Sequence, residues 1–123
     1  MGDRPLKYML LLYGDENELD QSEMEACYKE STHLTHKLHE AGQYIAASPL
    51  LPTAMATSVR VREGKRFITD GPFAETREQL GGYFLIDAPD LDEAIAIATQ
   101  IPMASRGTVE IRPILELEGL PKK

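Results

Sequence analysis

The chain has 123 residues, 42% of them apolar and 27% charged, with a formal net charge of −7. That length serves one domain around one hydrophobic core, and the apolar share argues against a disordered chain. The acidic excess repels phosphate backbones, so nucleic acid is not expected as a partner.

Residues 6–13, LKYMLLLY, form a continuous apolar run ended by Gly14-Asp15, which predicts a strand buried on both faces. The stretch YMLLLY is too short for a signal segment or a membrane span, so no membrane association is expected and the cytoplasm is the expected compartment. Asp20 and Glu23 then make a D-x-x-E capping box that opens a helix. Met24, Cys27, Ser31, Leu34, Leu38 and Ala41 recur at helical spacing, and Gly42 is the expected stop. Cys27 is the single cysteine, which rules out an internal disulfide and fits a reducing compartment. On the helix stripe it reads as a packing residue.

Residues 43–47 read as a short strand, and Pro49 and Pro52 enforce an extended connection. Residues 56–62 and 66–70 flank Glu63-Gly64-Lys65 as a hairpin. Asp70-Gly71-Pro72 is a strong turn. Residues 83–87, YFLID, give another apolar strand. Asp90 and Glu93 repeat the capping box, and Leu91, Ala94, Ile95, Ala98 and Ile101 predict a second amphipathic helix stopped by Pro102. Residues 108–117 form the last strand, where Pro113 favours an edge position because it cannot donate to a neighbour. The tail, residues 119–123, is expected to be loose.

The order β-α-β, hairpin, β-α-β predicts an α+β, ferredoxin-like βαββαβ domain with an inserted β-hairpin. In that fold the first and third core strands are central and both helices cover one face. Here those strands are YMLLLY and YFLID, apolar on both sides. A half-wet antiparallel sheet should alternate instead. The helix-free face therefore needs a cover. A second copy of the chain is the simplest, so a homodimer is expected. The hairpin folding back over that face is the alternative.

The segment 69–83, TDGPFAETREQLGGY, resembles the DGPF signature of the YCII-related family. KYMLLLYGDE, LDEAIAIA and GTVEIRPI extend the resemblance along most of the chain. It implies a ferredoxin-like fold assembled as a dimeric α/β barrel, with a small-molecule cleft beside the dimer interface. The family's biochemical role is largely undefined. Some of its members neighbour extracytoplasmic-function sigma factors, and a few are tied to dehalogenation or ring-opening chemistry. Members of the family also carry a His-Leu pair in the first helix and an Asp before a Pro near the end of the second, thought to form an acid–base pair. His33-Leu34 matches the first, but Ile101 precedes Pro102. Asp70 is the natural substitute.

The candidate catalytic residues are therefore Asp70, as base, and His33. For both, the plain alternative is structural: a turn-forming aspartate and a surface histidine lying off the Leu34/Leu38 direction. Phe73, Glu75, Arg77 and Arg112 are candidates for substrate binding, the arginines because a guanidinium clamps a carboxylate at two points. Gly81 and Gly82 admit either a close backbone approach or a bulge. Arg60, Arg62, Lys65 and Arg66 surround the hairpin and read as a charged tip that discourages edge pairing. His33, His36 and His39 wind around the polar side of the helix, so no metal is expected, nor any other cofactor.

Three functions follow. The first is an enzyme using acid–base chemistry on a small polar or anionic molecule in a cleft at the dimer interface. The second is a non-catalytic ligand-binding or regulatory module, associated with such a sigma factor. Haem or monooxygenase chemistry is a third, by fold analogy alone.

Overall fold

The computed structural model describes residues 6–121. In chain order it forms β1 (Leu6–Gly14), α1 (Gln21–Glu40), β2 (Tyr44–Pro49), β3 (Thr57–Arg62), β4 (Lys65–Asp70), β5 (Gln79–Ala88), α2 (Leu91–Ala98) and β6 (Thr108–Pro113). Short 3₁₀ turns sit at Thr53–Met55 and Pro102–Ser105.

Four strands make an antiparallel sheet in the order β2-β5-β1-β6. This is the ferredoxin-like arrangement, with β1 and β5 central and β6 at an edge, where Pro113 is tolerated. Alternation along the strands sends Tyr8, Leu10, Phe84, Ile86 and Ala88 to one face. There they pack with Leu34 and Leu38 of α1 and with Ala94, Ile97 and Ala98 of α2. Both helices thus cover the same side.

The other face carries Met9 opposite Leu85 and Leu11 opposite Tyr83. Glu110 and Arg112 flank them from β6 and pair with each other at 3.8 Å. The expected apolar residues on both faces of the central strands are thus present.

The helix ends follow their local chemistry. Asp20 accepts from the Glu23 N–H at 2.8 Å while the Glu23 side chain accepts from the Asp20 N–H at 3.0 Å, completing the box. Gly42, at φ +76°, takes the left-handed position after α1. The second box is only half formed. Asp90 accepts from the Glu93 N–H, but the Glu93 carboxylate takes the Gln43 side chain instead.

The stripe on α2 differs from expectation. Leu91 and Ile95 are 51% and 44% exposed, whereas Ile97 is 2% exposed. The helix stops at Ala98, and the chain reaches buried Ile101 through a turn instead of another helical step. The buried series becomes Ala94, Ile97, Ala98 and Ile101. The last strand is likewise shorter than expected, because regular pairing with β1 ends at Pro113. In the tail, Gly119 sits at φ +90°, and Lys122 and Lys123 lie outside the described residues.

β3 and β4 pair only with each other, as a separate two-stranded sheet. Glu63 and Gly64, at φ 51° and 76°, are both left-handed, the two-residue turn that matches strand twist. Lys65 therefore belongs to the strand and not to the turn.

Candidate functional site

The two halves of α1 meet the sheet differently. Leu34 and Leu38 are buried and pin the C-terminal half. One and two turns earlier the same stripe carries Ser31 and Cys27, which are too small to span the gap. Across from them the sheet is also small, with Gly81, Gly82 and Ala47. At Gly82 an added Cβ would lie 3.0 Å from the Ser48 carbonyl oxygen, so β2 and β5 approach closely there. Small residues facing small residues leave a cleft of about 470 Å³, within the range of small-molecule pockets.

Leu12, Met24, Phe84 and Met103 form its apolar walls. Its mouth is polar, built from the turn after β1 and the approach to β5. Asp15 Oδ1 accepts the Asn17 N–H at 2.9 Å, and Asp15 Oδ2 lies 3.6 Å from Arg77 Nε. Glu16 accepts both the Thr53 N–H, at 2.9 Å, and the Thr53 hydroxyl, at 2.7 Å. Each carboxylate thus holds a loop in place. Gln79 donates to the Thr76 and Ala74 carbonyl oxygens at 2.8 and 3.3 Å, tying the DGPF loop to the cleft edge. Among the described residues lining the cleft, Asp15 and Glu16 carry charge and no Lys, Arg or His is present. Burial raises the Cys27 thiol pKa above its ordinary value, partly opposed by Arg106.

None of the six candidate residues lines this cleft. Asp70 is exposed at the end of β4, opposite Thr57. The following Gly71 closes the hairpin base: its N–H donates to the Ala56 carbonyl at 2.7 Å and its carbonyl accepts the Ser58 hydroxyl at 2.8 Å. His33 is exposed on α1, beside buried Leu34. Phe73 is 83% exposed, and Glu75 is also on the surface. Arg77 reaches the mouth only through Asp15. Arg112 stands on the helix-free face, as its register requires. Among the described residues no three His, Cys, Asp or Glu side chains gather as a metal site, and no helix is long and apolar enough to cross a membrane.

Asp15, Glu16, Ser31 and Gln79 are not among the site residues expected from the sequence. The available signals were carboxylates directly after a central strand and a serine on an otherwise apolar helix stripe.

The sequence model of the YCII-related domain matches residues 6–118. An uncharacterized protein of Rhizobium meliloti (strain 1021) is 38% identical over 112 residues, covering 87% of this chain and 90% of that protein. On both grounds the chain belongs to the YCII-related family.

Proposed function

We propose that the protein is a cytoplasmic homodimer that binds a small amphipathic organic molecule in the cleft between α1 and the sheet. One observation carries this reading: a cleft of about 470 Å³ lined by apolar side chains together with several hydroxyls and the Asp15 and Glu16 carboxylates. Such a pocket gains affinity from buried apolar surface and orientation from a few polar groups. The carboxylates at the mouth, with no cation in the lining, favour a neutral or cationic head group over an anion.

Binding without catalysis is preferred to acid–base turnover. Asp70 and His33 stand outside the cleft, and Asp15 and Glu16 are committed to loop hydrogen bonds. The homodimer is supported by Met9, Leu11, Tyr83 and Leu85 on the helix-free face. The test is calorimetric titration with matched alkyl alcohols, amines and carboxylates, on the native chain and on Ser31→Leu. Alcohols or amines should bind the native chain, and the leucine should abolish binding without unfolding it. Equal binding to both proteins, or no binding by either, would overturn the reading.

A further inference from the structure

The β3–β4 hairpin has two unlike faces. The register puts Val59 opposite Ile68 and Val61 opposite Arg66 on one side, and Arg60 opposite Phe67 and Arg62 opposite Lys65 on the other. The first side carries three apolar side chains beside Arg66, and the second three basic ones beside Phe67. Val59, Val61 and Ile68 are 60%, 59% and 57% exposed. An isolated two-stranded hairpin is marginal in water, and an exposed β-branched row on it is a pairing hazard. Among the described residues the hairpin's strands pair with each other alone and add no strand to the four-stranded sheet.

Charge identifies the occupant. The segment Thr57–Asp70 holds four of the chain's 13 basic residues and two of its 20 acidic residues. A basic arm thus projects from an acidic body. A copy of that body offers both an acidic surface and an unmatched apolar sheet face with Met9, Leu11, Tyr83 and Leu85. We propose that the hairpin is an exchanged arm: in the homodimer each copy lays the Val59/Val61/Ile68 face on the other copy, and the positive charge of the arm is drawn to that copy's acidic body. This rests on the homodimer reading but adds a specific surface to it, since helix-free faces can pair without any help from the arms.

The experiment is sedimentation equilibrium of the full chain and of V59K/V61K, with calorimetric ligand binding and circular dichroism as checks. Both valines are largely exposed in the single copy, so the substitutions leave its fold intact. The arm predicts a dimer dissociation constant raised about 100-fold, in keeping with loss of an interface anchor. It also predicts that R60E/R62E weakens the dimer, and that salt weakens the native dimer more than that variant. A native chain that is monomeric at about 100 μM would overturn both the arm and the homodimer. A dimer unchanged by V59K/V61K would overturn the arm alone. Specific capture of duplex DNA that is lost in R60E/R62E would assign the basic face elsewhere and overturn the proposal as well.

Discussion

The N-terminal and C-terminal halves of α1 share one stripe and one sheet, yet one half builds core and the other builds a cleft. The difference is side-chain size. Leu34 and Leu38 reach the sheet and exclude water from Tyr8, Leu10 and Ile86. Cys27 and Ser31 stop short, over Gly81, Gly82 and Ala47. A helical period therefore locates the face of α1 that meets the sheet, but residue volume decides whether that meeting is packed.

The strongest way to break the comparison is to turn one half into the other. Leu38→Ala should lower stability by about 2–5 kcal/mol in urea unfolding, because the buried methyls are lost and the site cannot collapse fully. A loss below about 0.5 kcal/mol would mean that the C-terminal half is no better packed than the N-terminal half. The converse change, Ser31→Leu, should leave the unfolding midpoint level or raised, since it fills space already empty. A large drop in midpoint would show that the cleft is closed in solution.

The caps and the stripe of α1 were legible because each depends on residues a few positions apart. Asp20 with Glu23 fixes the start, Gly42 the stop, and the leucines the buried side. The α2 stripe was half legible. Leu91 and Ile95 fit a helical period as well as Ile97 does, and only the turn at Thr99–Ile101 chooses between the two registers. The cleft was not legible, since it needs small residues from α1, β2 and β5 to coincide in space. The candidate site residues were chosen by titratable chemistry and by the DGPF motif. Asp70 and Gly71 turn out to close the hairpin, and Arg77 touches the cleft only through Asp15.

A subtler contrast concerns Cys27, whose thiol is the reactive group in the loose half. Burial raises its pKa, so less thiolate forms at pH 8 than for a free cysteine. Alkylation by iodoacetamide should be several-fold slower than for a model thiol, and slower again with a bound ligand. A rate equal to the model thiol's would place Cys27 in open solvent.

The smallest effect belongs to the first turn of α1. The Glu23 N–H and the Ser22 hydroxyl lower the pKa of Asp20 below 3.8. The group is depressed in the folded state, so its contribution is present above about pH 4 and is lost as pH falls through the folded value. Asp20→Asn keeps a capping oxygen without a titrating proton. It should flatten the acid limb of stability below pH 3.8, lowering stability slightly at pH 7 and hardly at all in acid, where Asp20 is already neutral. An unchanged acid limb would assign that limb to other carboxylates.

The most direct measurement uses the methionine methyl groups as reporters in one ¹³C NMR spectrum. Met24 and Met103 line the cleft, Met9 stands on the helix-free face, and Met55 is exposed. Titrating an alkyl alcohol should shift the Met24 and Met103 methyls together and leave Met55 still, whereas dilution should move Met9 alone among these four. A titration that moves Met9 or Met55 while the two cleft methyls stay fixed would contradict the account.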